Sequence, residues 1–121
     1  MQILARPLMN IERGEILLVA FDPTKGTEIQ KTRPAIVVTN NLANKYLPMV
    51  AVVPLTSQHL DRIRVFEVLI KTATGLKKSS KAVIVQLRTV DRSRIKKKLG
   101  KVSGADMKLI DEKLKLHLDL E

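Results

Sequence analysis

Three clusters of polar residues interrupt an otherwise apolar chain, and their side chains are of types that can handle phosphate or proton transfer. The first is Thr27, Glu28, Thr32 and Arg33, within "GTEIQKTRPAIVV" over residues 26–38. The second is Thr56-Ser57, directly after the run "AVVPL". The third is Gln86, Arg88 and Asp91 in "VQLRTVDRSR". An arginine held between Thr32 and Pro34 offers a planar fork of N–H donors to phosphate or carboxylate oxygens. A threonine hydroxyl donates to the same kind of oxygen, and a glutamate accepts a proton. Each cluster also has an ordinary structural reading. Thr56-Ser57 makes a turn or a cap, Asp91 pairs with Arg88 or Arg94, and Arg33 pairs with Glu28. Taken singly, the structural reading is the preferred one for each.

Charge points to the kind of partner. The chain has 121 residues and a net charge of +10. Residues 61–101 hold 13 Lys/Arg and 3 Asp/Glu, a balance of +10, against +2 for residues 1–60 and −2 for residues 102–121. An excess confined to one segment suits a polyanion, nucleic acid first, better than a basic surface kept for solubility. Aromatic residues are only Tyr46, Phe21 and Phe66. A stacking platform for bases needs more than these, so phosphate contacts and hydrogen bonds must carry nucleic-acid binding. Cysteine is absent, which excludes disulfides and thiolate metal sites. Two histidines, His59 and His117, cannot build a zinc site alone, so neither metal nor cofactor is expected. No apolar run reaches the length of a membrane span and the first residues lack the order of a signal peptide, so the expectation is a cytoplasmic protein with no membrane partner.

The elements that must position these clusters are mostly strands. "EILLVAF" (15–21), "PAIVVTN" (34–40), "MVAVVPLT" (49–56), "RVFEVLI" (64–70) and "KAVIVQL" (81–87) are short and rich in Val and Ile. Several are apolar on both faces and need cover on both sides. A small curved barrel-like sheet with a helix against it provides that. The helix is expected over 104–118. Ser103 and Asp106 stand at capping spacing, and Met107, Ile110, Leu114 and Leu118 recur on one face. Short helical turns are expected near residues 43–46 and 93–97. No linker or repeat divides the chain, so 1–121 reads as one domain.

Read in order, "RGEILLVAFDPTKGTEIQKTRPAIVVTNN", "VVPLTS", "GLKKSS" and "VQLRTVDRSRI" resemble the MazF/PemK family of toxin endoribonucleases over residues 13–118. The resemblance implies a mainly β fold with α, a small SH3-like β-barrel of the MazF/CcdB type with a C-terminal helix, assembled as a homodimer. It implies cleavage of single-stranded RNA without a metal, as the toxin of a type II toxin–antitoxin pair with an acidic antitoxin as partner. It assigns catalysis to Arg33 and Thr56, and it matches the acidic residue of a conserved loop to Glu28. RNA contacts fall to Thr27, Lys31, Ser57, Gln86 and Arg88. Two departures matter. Ile29 stands where glutamine is usual in the family loop, and Val83 and Val85 stand where one branch carries an arginine and an aspartate. Proton transfer must then rest on Arg33, Thr56, Glu28, water or the RNA itself.

The chemistry fits those residue types. RNA carries its own nucleophile, the 2′-hydroxyl, beside each phosphate. Cleavage needs a base, an acid and a cation at the crowded phosphorus. Arg33 suits the cation's place, since a guanidinium with a pKa above ~12 holds its proton at neutral pH. Cut-site choice is expected in loops 24–32 and 57–64. Two rivals share the composition: a non-nucleolytic barrel such as a CcdB-like gyrase poison, and a plain RNA-binding module. The gyrase poisons do not need the paired TRP and PLTS motifs, and this chain has both.

Overall fold

The computed structural model describes residues 9–70 and 75–121. Its seven strands are β1 (Glu15–Ala20), β2 (Thr32–Val37), β3 (Met49–Thr56), β4 (Glu67–Ile70), β5 (Ser80–Val83), β6 (Arg88–Asp91) and β7 (Ile95–Lys101). Helix α1 (Asn41–Tyr46) lies between β2 and β3, and helix α2 (Gly104–His117) follows β7. The strands form one antiparallel sheet in the order β4-β5-β3-β2-β1-β7. Among the described residues the sheet is not closed, since β4 and β7 end the path. It branches at β3, whose outer edge pairs first with β6 through Met49–Val52 and then with β5 through Leu55 and Thr56. Two register shifts between β1 and β7 add local bend and twist.

Strand alternation explains why both faces are buried. Ile16, Ile36, Val53 and Leu55 turn to one side, where they meet Ile70, Ile84, Ile110 and Leu114. Leu17, Ala35, Val37, Val50 and Val52 turn to the other, around Phe21, Val90 and Ile95. Helix α2 covers the first core, packing on β4 and the 3-10 turn Ile84–Gln86. Its Ser103 cap accepts from the Asp106 amide at 3.1 Å, as the spacing predicts. Ile110 and Leu114 are buried and Met107 packs beside them, but Leu118 at the helix end is exposed. Arg13 ties α2 to the start of β1 through Asp111 at 2.7 Å, and its Nε donates to the Val38 carbonyl. Gly75 has a left-handed φ of +83°, and a Cβ there would overlap the Leu99 carbonyl, so the position requires glycine.

The strands over 15–21, 34–40 and 49–56 appear within a few residues of expectation. Two others are shorter. Residues 64–66 form a turn closed by the Glu67 amide on the Arg64 carbonyl, so β4 starts at Glu67. The run over 81–87 leaves the sheet after Val83 and becomes the 3-10 turn. The turn near 43–46 is α1, capped by Asn40. The turn near 93–97 is confined to Arg92–Arg94, and the lysine run Lys96–Lys98 is strand β7. An edge strand presents charged side chains to solvent, and lysines there block pairing with another chain.

Candidate active site

Arg33 and Thr56 meet because of register. Strands β2 and β3 pair Ala35 with Pro54, Ile36 with Val53 and Val37 with Val52. The same register carried two residues further sets Arg33 opposite Thr56. On its other edge Thr56 pairs with Lys81 of β5. Residues directly opposite share a face, and Arg33, Thr56 and Lys81 all line one cleft of about 680 Å³. One wall is Gly26–Gln30, and the other carries Gln58, His59, Asp61, Arg62 and Arg64. Glu67 and Val83 complete the floor.

The polar atoms are held in specific ways. Arg33 Nε donates to the Gln30 carbonyl at 2.9 Å, which fixes the plane of the guanidinium. Its Nη donors meet no acceptor among the described residues. Thr56 Oγ1 accepts from the Gln58 amide at 3.2 Å, leaving its own proton for another acceptor. Glu28 does not pair with Arg33. Its carboxylate accepts from the Lys25 amide, and its amide returns to the Lys25 carbonyl at 3.1 Å. The carboxylate thus closes a tight turn at the cleft wall.

Of the eight residues assigned to catalysis or RNA contact, Thr27, Glu28, Arg33 and Thr56 come together at this cleft. Ser57 lines an adjoining cleft of about 330 Å³ that shares Arg33 and is rimmed by Lys77, Lys78 and Lys97. Gln86 acts on the wall from behind. Its Nε2 donates to the Thr27 carbonyl at 3.2 Å, and its Oε1 accepts from the Ile29 amide at 3.4 Å. Arg88 is turned away, with its guanidinium over the Phe21 ring and Nη1 donating to the Phe21 carbonyl at 3.3 Å. Lys31 is exposed with a φ of +68° and borders neither cleft. Asp91 caps the 92–94 turn by accepting from the Ser93 amide at 2.8 Å. That hydrogen bond and the nearby charge of Arg94 hold its carboxyl below the usual range.

Sequence reading missed the ion pair in the floor. Lys81 Nζ lies 3.0 Å from Glu67 Oε1, with both side chains largely buried. Burial works to raise the Glu67 pKa. Hydrogen bonds from the Arg64 amide and Lys81, with the charges of Lys81 and Arg64, outweigh it and hold the carboxyl below its ordinary value. The strand pattern alone carries no signal for it, since Ser80, Lys81 and Ala82 are buried in succession. Only the structure sets Lys81 beside Thr56, by the β3–β5 register.

Residues 12–118 match the model of the PemK-like, MazF-like toxins of type II toxin–antitoxin systems. The chain is 40% identical over 116 residues to endoribonuclease MazF9 of Mycobacterium tuberculosis, covering 91% of this chain and 98% of that protein. Among solved structures, MazF of Deinococcus radiodurans superposes with a TM-score of 0.82 at 24% identity, covering 93% of this chain and 99% of that one. A mycobacterial endoribonuclease in complex with its cognate antitoxin superposes with a TM-score of 0.75 at 20% identity, covering 94% and 98%. These two structures share the fold of this chain.

Proposed function

The chain belongs to the PemK-like, MazF-like toxin family of type II toxin–antitoxin systems, and we propose that it is a metal-independent endoribonuclease cutting single-stranded RNA in the cytoplasm. The observation that carries this reading is the convergence of Arg33 and Thr56 from adjacent strands on one cleft, with Arg62 and Arg64 on the wall opposite Gly26–Gln30. A chain across that cleft sets a phosphate against the Arg33 Nη donors and the Thr56 hydroxyl. Both favour the charge that grows on the phosphoryl oxygens as the 2′-oxygen attacks. Glu28 takes the 2′-hydroxyl proton, and water returns one to the leaving 5′-oxygen. The new 2′-oxygen–phosphorus bond replaces the bond to the 5′-oxygen, leaving a 2′,3′-cyclic phosphate and a 5′-hydroxyl. Because the substrate supplies the nucleophile, no metal-bound water is required. Specificity resides in the two cleft walls. The enzyme works as a homodimer, and an acidic antitoxin restrains it.

The test is cleavage of labelled single-stranded RNA with excess EDTA. The wild type should cut RNA at defined sequences and leave a DNA copy intact, and folded Arg33→Ala should be nearly inactive. RNA left whole by wild type, or an activity that disappears with EDTA, contradicts the proposal. Gyrase inhibition without RNA cleavage would support the rival reading instead.

A further inference from the structure

A buried cation lies in the cleft floor that the proposed chemistry does not use. Lys81 is 4% exposed, yet it carries an ammonium. Its Nζ donates to the His59 carbonyl, the Arg62 carbonyl and Glu67 Oε1, each at 3.0 Å. An ammonium has three protons, so every one is committed. Two of the acceptors are backbone carbonyls of residues 57–66, the segment that joins β3 to β4 and walls the cleft. The third, Glu67, also accepts from the Arg64 amide at 2.8 Å, while its own amide donates to the Arg64 carbonyl at 3.0 Å. Inside the segment, the Arg62 amide reaches the His59 carbonyl only at 3.4 Å, and His59 holds a left-handed φ of +55°. The wall is therefore wrapped around one charge and has little regular structure of its own.

A buried ion pair is weak evidence for stability, since apolar residues of similar volume often serve as well. Geometry is what it fixes here. Apolar side chains cannot draw two loop carbonyls to a single point. Nor can Lys81 give a proton to RNA, because its donors are taken. Arg33 and Thr56 stand on strands set by the β2–β3 register, so loss of the ammonium leaves their backbones in place and releases the wall.

We infer that Lys81, through its clamp on His59, Arg62 and Glu67, is a positioning residue for selection among RNA sequences, holding the 57–66 wall in the conformation that discriminates bases around the scissile phosphate. The inference rests on the RNA-cleaving function proposed above. It assigns Lys81 a role in KM and selectivity, and none in the chemical step.

The single variant Lys81→Met strands Glu67 as an unpaired carboxylate and endangers folding. The paired variant Lys81→Met with Glu67→Gln removes both charges and keeps an acceptor for the Arg64 amide. Two measurements are made on it and on wild type. One is kcat and KM on a panel of short RNAs that differ in the bases around the cut. The other is amide hydrogen exchange over residues 57–66. KM for the preferred RNA should rise on the order of tenfold, the spread of kcat/KM across the panel should shrink to match, and kcat should stay within about threefold. Exchange should quicken in 57–66 while β3 and β5 keep their protection. Unchanged exchange there would overturn the clamp, and unchanged KM and selectivity beside faster exchange would overturn its role in selection. A fall in kcat at constant KM would overturn it too, by placing Lys81 in the chemistry. Failure of wild type to cut any RNA would refute the proposed function and selection together, and the exchange comparison would still decide whether the clamp holds the wall.

Discussion

Arg33 divides its side chain between two tasks. Nε holds the Gln30 carbonyl, and the Nη donors meet no acceptor among the described residues, in a side chain that lines the cleft. Arg33→Ala should therefore lower kcat by on the order of 10²-fold or more while the melting temperature moves little, since one exposed hydrogen bond is lost. Arg33→Lys should recover little, because a point charge lacks the fork. Thr56→Ala should cost less than Arg33→Ala, and Thr56→Ser should keep much of the rate, since the hydroxyl remains. Paired kinetics and thermal melts of the four variants check this. A variant that loses activity only in proportion to lost folded protein would make Arg33 a structural pin. At this scale Arg33, Thr56 and Glu28 were legible as polar breaks in apolar sequence. Lys81 was not, because a lysine within a strand ordinarily turns to water, and only the packing of 57–66 reveals that this one turns inward. Arg88 shows the opposite case, an arginine in a recognised motif whose guanidinium is engaged with Phe21.

The 26–30 wall is an element with few bonds of its own, and Gln86 straps it from the end of the 3-10 turn. Gln86→Ala should raise KM several-fold while changing kcat less, as steady-state kinetics on one RNA will show. The opposite wall depends on pH. Glu67 is held below its ordinary pKa in the folded protein, so its share of stability is present above the ordinary carboxylate range, about pH 4.3. That share is lost as pH falls through the depressed folded value. Melting of wild type against Glu67→Gln should show a difference at pH 6 that shrinks as the pH is lowered below that range. A difference that grows with acid would contradict the clamp. Ile110 seats α2 in the first core, and Ile110→Ala should cost about 2–5 kcal/mol in denaturant melts. The helix and the Val/Ile strands were legible because their apolar periods are strong. β6 and β7 were not. β6 is a short branch on β3, and β7 is an edge strand whose exposed lysines look like a solvated turn.

Across the molecule, two populations of cations stand apart within the basic segment 61–101. Lys81, Arg88, Arg92 and Arg94 are turned to internal carbonyls, with Arg92 alone holding those of Met9, Asn44 and Leu47. Arg62, Arg64, Lys77, Lys78 and Lys97 border the two clefts that meet at Arg33. The sequence made the net charge legible but could not separate these populations, because only tertiary packing decides which cations face water. The outward set should draw both RNA and an acidic, partly disordered antitoxin segment to the same surface. The two should compete in a titration, and both affinities should fall as salt rises. Simultaneous binding with undiminished cleavage would place inhibition elsewhere. The chemistry itself is tested most directly by one atom of the substrate. An RNA with a single 2′-deoxy sugar at the cut should bind as well as its parent and resist cleavage there in EDTA, while the parent yields a 2′,3′-cyclic phosphate and a 5′-hydroxyl. Cleavage of the deoxy substrate at the same bond would contradict attack by the 2′-hydroxyl and the roles given to Arg33 and Thr56.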